Sequence, residues 1–343
     1  MRKFLQKIGR PFFIWLANKI SDAPKKEAVF KSLSILHHTI TTKKSTRGIV
    51  LDINLLTDNF IVFSDQHKGD RDRADDFTSN EFNYISALQY YQQLQFNYIN
   101  LGDAEELWKY TADEVLPKNI AALKAEANFQ LNKKYYRTFG NHDLLWKNKP
   151  DVLLHLKKYF EMPLPVHEGI VLRTVVSEKI PLNIFLTHGH QGDIMSDNNP
   201  LSTWVVAHIW SPIQRYLEIN VNTPSNDYLL RDKHNKLMYE WSSNKKNLLL
   251  ITGHTHKPVF ASGKYSTNTI HKINTTEVSG SVKPGYFNTG CCCFNDGDIT
   301  GIEIANGFIR LIKWHTNQGV SERFVLEEKN LEDIVMELTT TKV

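Results

Sequence analysis

Short apolar runs alternate with longer amphipathic stretches along most of this chain, and the two periods separate strands from helices. "NFIVFSD", beginning at Asn59, is a continuous apolar run bounded by polar residues, the pattern of a strand buried on both faces. The following "SNEFNYISALQYYQQLQ" places Phe82, Ile85, Leu88 and Tyr91 at helical spacing. "FNYINLGD" predicts a second strand, "NIAALKAEANFQLNKK" a second helix and "YYRTFGNHD" a third strand. That order points to an α/β fold with a parallel core. "LNIFLTHGH" and "NLLLITGHTH" add two strands. Beyond Pro258, turn signals at Lys283-Pro284-Gly285, Asn295-Asp296-Gly297 and Asn306-Gly307 predict a β-rich half built of hairpins. The helical-looking "STWVVAHIWSPIQRYLEI" and "DYLLRDKHNKLMYEW" separate two strands that each end in histidine, and read as a cap inserted over the end of the sheet. The expected plan is an arm over 1–50, a domain over 51–320 with its cap at about 194–246, and a C-terminal tail helix over 321–343.

Composition narrows the class. With 343 residues, 41% hydrophobic and 23% charged, the chain belongs with globular proteins rather than disordered ones. Its three cysteines, Cys291, Cys292 and Cys293, are adjacent, which excludes a disulfide framework and fits a reducing, cytoplasmic setting. They also lack the two-residue spacing of zinc sites, so the expectation is a buried strand with thiols on alternating faces. Charge is uneven: residues 1–50 hold eleven Lys/Arg against two Asp/Glu, a balance of +9, leaving −5 for the rest of a chain whose net charge is +4. An acidic body offers little counter-charge for nucleic acid, so no such partner is expected. In the arm, Leu5, Ile8, Phe12, Trp15, Leu16 and Ile20 share a helical face ringed by Lys3, Lys7, Arg10 and Lys19. Its longest apolar run, Phe12 to Ala17, is far short of the roughly 20 residues that span a bilayer. The apolar face is expected to dock on the body, with peripheral contact at a membrane surface as the alternative.

Polar residues gather where the strands end. The ends read "SDQH" (Asp65, His67), "LGDAEE" (Asp103, Glu106), "GNHD" (Asn141, His142), "THGH" (His188, His190) and "GHTH" (His254, His256). In open α/β sheets ligands bind beyond the carboxyl ends of the strands. A lone histidine is usually a satisfied structural residue; five strand ends delivering Asp, His or Asn to one edge are not explained that way. Imidazole and carboxylate together suit manganese, iron or zinc better than calcium. A shared carboxylate can hold two such ions about 3.5–4 Å apart, clamping an in-line displacement.

These motifs, D-x-H, G-D-x-x-[DE], G-N-H-[DE], His-Gly and G-H-x-H, occur in the order found in the calcineurin-like metallophosphoesterases, which the chain resembles from about Phe60 to Phe260. "NTG" at Asn288 is similar to that family's later Asn-Pro-Gly-Ser turn. The resemblance implies a sandwich of two mixed β-sheets flanked by helices. It implies that Asp65, His67 and His256 bind a first metal, that Asp103 bridges, and that Asn141, His188 and His254 complete a second. The ions would be two divalent cations, manganese foremost, with iron or zinc as alternatives. A hydroxide between them would attack a phosphoester or pyrophosphate bond in line. His142 would stabilise charge or protonate the leaving oxygen, with Glu106 orienting it. Lys68 and Asp70 are expected at the phosphate mouth or in a solvated loop, and His190 in support of the site or substrate.

"GDAEELW" departs from the G-D-x-V-D-R-G of phosphoprotein phosphatases, which disfavours a protein substrate. The cap is similar in placement to the lid of UDP-2,3-diacylglucosamine pyrophosphatases. On that likeness Trp204, Trp210, Tyr216 and Trp241, with Arg215, Arg231 and Lys236, would cover a lipid-linked nucleotide diphosphate. "HGHQGD" departs from the shorter His-Gly-Asp pattern of those enzymes. The expected substrate is therefore a phosphorylated small molecule or a lipid-linked one. The competing class is a non-catalytic scaffold on the same fold, disfavoured because every ligand position is filled.

Overall fold

Two β-sheets lie face to face between two helical layers. The structure, a computed structural model, describes residues 25–42, 45–72, 75–176, 180–192, 228–260 and 285–340. One sheet has the order β1 (Gly48–Asp52), β6 (Gly169–Val176), β7 (Ile180–Thr187), β8 (Leu248–Thr252), β9 (Tyr286–Asn288). The other runs β12 (Val320–Asn330), β11 (Phe308–Asn317), β10 (Ile299–Ala305), β2 (Phe60–Phe63), β3 (Asn97–Leu101), β4 (Tyr135–Thr138), β5 (Val166–His167). β2 to β5 pair in parallel and β10 to β12 antiparallel, so both sheets are mixed, as the family resemblance implies.

The apolar runs are continuous because each strand is covered on both sides. Phe60 and Val62 join Ile170, Leu172, Ile184, Leu186, Leu249 and Ile251 in the core between the sheets. Their neighbours Ile61 and Phe63 face helices α2 (Glu81–Gln93) and α3 (Ile120–Leu131). Val171, Phe185 and Leu250 face α1 (Lys26–Thr42) and α4 (Tyr228–Ser243) on the opposite side. A strand's period of two thus feeds two different cores.

Four features differ from expectation. α2 buries Tyr84, Ala87, Leu88 and Tyr91, and Phe82 is exposed: the buried stripe is displaced from the one read in the sequence. The boundary at residue 50 falls inside β1, which pairs with β6 from Gly48 onward, and α1 packs Val29, Leu33, Leu36 and Ile40 into the core; residues 26–50 belong to the domain. The C-terminal segment is not peripheral. β12 pairs along β11, and α5 (Leu331–Thr340) buries Leu331, Ile334, Val335 and Leu338, each such side chain contributing about 1.5–3 kcal/mol. The three cysteines are buried but lie in the irregular connection between β9 and β10, where Cys292 N donates to Ser64 O and Asp65 O instead of to a neighbouring strand. The first 24 residues and most of the cap, 193–227, lie outside the described residues, as do the readings placed on them. Among the described residues no helix is long and apolar enough to cross a membrane.

Candidate metal centre

The carboxyl ends of β2, β3, β4, β7 and β8 come to one edge spanning both sheets. Backbone torsion there is unusual. Asp65, His67, Asp103, His254 and His256 all have φ between 49° and 70°, five of the eleven non-glycine residues with positive φ among those described. Such left-handed positions cost on the order of 1–3 kcal/mol each and persist where surrounding structure enforces them. Two glycines allow the close approach: a Cβ on Gly140 would run into Asp103, and one on Gly253 into Ser64 and Asp65.

Donor atoms converge in two groups that share one carboxylate. His256 Nε2 lies 3.2 Å from Asp65 Oδ1 and 3.0 Å from His67 Nε2. Asp103 Oδ2 stands 3.7 Å from His67 Nε2 on one side and 3.1 Å from His188 Nε2 on the other. Asn141 Oδ1 is 3.2 Å from His188 Nε2. The ring nitrogen His254 Nε2 is buried without a hydrogen-bond partner, close to Asp103 and His188. His188 Nδ1 lies 3.0 Å from Leu101 O, and that bond, donated by the ring, leaves Nε2 with a free lone pair. All seven side chains predicted as ligands are thus brought together. Facing lone pairs, an orphaned imidazole nitrogen and buried carboxylates fit a pair of divalent cations.

The electrostatics agree. Burial alone would lower the basicity of His67, His188 and His256, yet all three are raised, the last two to about 9: His67 and His188 by nearby carboxylates, His256 by the Cys291 sulfur and then Asp65. Burial would raise the Asp65 and Asp103 carboxyls, but the surrounding histidines hold both below the usual carboxylate range. An edge this electronegative attracts protons or metal cations alike.

At the more open side, His142 Nδ1 lies 2.9 Å from Glu106 Oε1, as the sequence reading anticipates. Glu106 has a second task that the reading missed: its other oxygen meets His67 Nδ1 at 3.2 Å. His142 N donates to Asp103 Oδ1 at 2.7 Å, tying it to the shared carboxylate. The indole of Trp108 stacks on the His142 ring, centroids 3.9 Å apart and planes 21° apart, and Lys109 Nζ lies 3.6 Å from Glu106. Neither residue was singled out; both directly follow "GDAEEL", and only that adjacency marks them.

Other expectations change. Lys68 does not line the mouth: it is fully buried, its ammonium 2.5 Å from Glu126 and 3.2 Å from Glu105, because these interior carboxylates need a cation. Asp70 pairs instead with Lys118 at 2.6 Å. Trp241 is buried against Phe185 and donates to Ser34 Oγ on α1, so it serves the fold rather than a substrate cover. His190 is buried, its ring 5.4 Å from that of His188 and its Nδ1 unpartnered. His234, from α4, is a further buried imidazole 5.0 Å from His254 that sequence spacing gave no reason to pick. Arg215, and the side chain of Arg231, lie outside the described residues. Asn288, at the start of "NTG", donates its amide to Gly253 O at 2.7 Å, bracing the strand end that carries His254. Asp143, the last residue of "GNHD", accepts from Gly140 N, Asp103 N and Ala104 N, locking two motifs together.

Among solved structures the chain is similar to a dimetal phosphatase from Danio rerio, at 9% identity, with 79% of this chain and 100% of that one covered and a TM-score of 0.37. It is similar to vacuolar protein sorting 29 from Cryptosporidium parvum at 14% identity, covering 80% and 98%, TM-score 0.34. The zinc-complexed Vps29 of Entamoeba histolytica matches at 13% identity, covering 80% and 99%, TM-score 0.30. Among curated proteins none matches the chain. The sequence pattern of the calcineurin-like phosphoesterases, by contrast, matches residues 59–258, more than half of the chain and every strand end described above. The chain therefore belongs to the calcineurin-like phosphoesterase family and is a metal-dependent phosphoester hydrolase.

Proposed function

We propose that Asp65, His67 and His256 hold one divalent ion, that Asn141, His188 and His254 hold a second, and that Asp103 is shared between them. The observation that supports this most is the position of Asp103 Oδ2 between His67 Nε2 and His188 Nε2, at 3.7 and 3.1 Å. The donor set of imidazole, carboxylate and one amide oxygen suits manganese, iron or zinc, and manganese is the ion we favour. Such a pair, when bound, supplies Lewis acidity toward water and the phosphoryl oxygens. The protein's own residues do the rest. Glu106 fixes His142 through Nδ1, which leaves Nε2 free to donate to a phosphoryl or leaving oxygen. Trp108 holds the flat of that ring, so the imidazole meets substrate edge-on. The side chains of His142 and His256 keep 12% and 19% of their surface exposed, which marks the approach side of the site.

The substrate we favour is a phosphorylated small molecule. Among the described residues the rim carries the Trp108 indole and the Lys109 ammonium, which also lies 3.5 Å from Asp76, a surface suited to a small anionic ester. The test is a panel of p-nitrophenyl phosphate, bis-p-nitrophenyl phosphate and a UDP-diacylglucosamine with manganese-loaded protein. Turnover of at least one simple ester, removed by chelation and restored by manganese, is expected. Turnover confined to the lipid-linked diphosphate would replace the small-molecule reading, and none on any substrate by metal-loaded protein would contradict hydrolysis at this site.

A further inference from the structure

The sulfur atoms that sequence spacing set apart from metal chemistry lie against one of the proposed ligands. Cys293 Sγ is 3.6 Å from His256 Nδ1. The opposite nitrogen, His256 Nε2, is the one that meets Asp65 and His67. Cys291, two residues earlier in the same loop and also buried, acts electrostatically on His256, so sulfur lies along the back edge of this imidazole. Independently, Cys293, His256 and His67 place donor atoms within 4.8 Å of one another. The next residue in the loop, Cys292, packs instead into the separate core beneath α2 and α3.

We infer that Cys293, backed by Cys291, is a positioning residue for His256. A ring nitrogen can bind a cation only when the other carries the proton, and that proton needs an acceptor. His188 uses the carbonyl of Leu101 for this purpose; His256 uses a thiol. Sulfur fixes the tautomer and the ring orientation, and with them the donor geometry at the first metal position. The inference rests on the reading of His256 as a ligand.

The experiment is calorimetric titration of metal-free protein with manganese. Compared with wild type, the Cys291→Ala/Cys293→Ala double variant should bind one of its two ions about 10–100-fold more weakly, the usual cost of losing such a partner. Cys291→Ala/Cys293→Ser, which restores an acceptor, should recover most of that loss, and Cys292→Ala should bind both ions as wild type does. Cobalt-loaded wild type should show no thiolate-to-cobalt charge-transfer band, since sulfur touches the ligand and not the ion. Equal affinities in wild type and the double variant, or equal weakening in Cys292→Ala, would overturn the role of the thiols while leaving the site intact. A charge-transfer band would overturn it in favour of direct ligation. Fewer than two ions bound by wild type would overturn the reading of the site itself.

Discussion

The same three motifs build two regions with opposite electrostatics. Asp65, His67, Asp103 and Asn141 turn outward to the sheet edge, where imidazoles and carboxylates crowd together and a ring nitrogen is left unpartnered. One or two residues further on, Lys68, Glu105 and Asp143 turn inward and close on Arg137, Glu126 and Trp146 in a fully buried ionic layer. The edge gathers donors that we propose a pair of cations completes; the layer beneath carries its own cations. Burial is similar in both, so burial does not distinguish a functional charge from a structural one. The partner does.

That contrast can be broken at several points. Asp103→Ala removes the shared carboxylate and should cost several kcal/mol of transition-state stabilisation, about 10³-fold or more in kcat, with fewer than two ions bound by elemental analysis. His142→Ala should keep both ions and lose about 10²–10⁴-fold in kcat, the range for a positioned proton donor. Steady-state rates together with metal content separate the two; wild-type turnover in either variant would remove that residue from the mechanism.

In the ionic layer the expected effect is on folding. Arg137→Met leaves Glu105 and Asp143 without their guanidinium and should lower unfolding stability by about 3–5 kcal/mol in urea titration. Unchanged stability would mean the layer is not held as its contacts indicate. A smaller effect comes from His37 on α1, an imidazole edge-on to Phe185, whose pKa burial lowers to about 4. The unfolded chain takes up a proton near pH 6.5 that the folded protein refuses until about pH 4. Stability is therefore full above pH 6.5 and is lost as pH falls through that window. His37→Phe should narrow the difference between urea midpoints at pH 7.5 and 5.0, and an unaltered difference would assign it elsewhere.

The edge was legible in the sequence because strand ends have a fixed direction. An apolar run followed by D-x-H or G-H-x-H tells where the polar side chains emerge, and Asp65, His67, Asp103, Asn141, His188, His254 and His256 do meet. What lay beyond reach was set by partners distant in the chain. Lys68 reads as a mouth residue until Glu126, on α3, is seen to hold it. Trp108 has no periodic signal, and its stacking on His142 depends on the loop path after β3. The cysteines were correctly read as buried but wrongly as a strand, because the carbonyls of Ser64 and Asp65 take the amide of Cys292. The N-terminal and C-terminal boundaries failed for a similar reason: Gly48–Asp52 and Val320–Asn330 become strands by pairing, and their composition alone does not announce it.

The central claim, one carboxylate shared by two ions, is tested most directly by anomalous diffraction from manganese-soaked crystals. The account predicts two peaks about 3.5–4 Å apart with Asp103 between them, one beside Asp65, His67 and His256 and the other beside Asn141, His188 and His254. A single peak, or two that do not share Asp103, would contradict it.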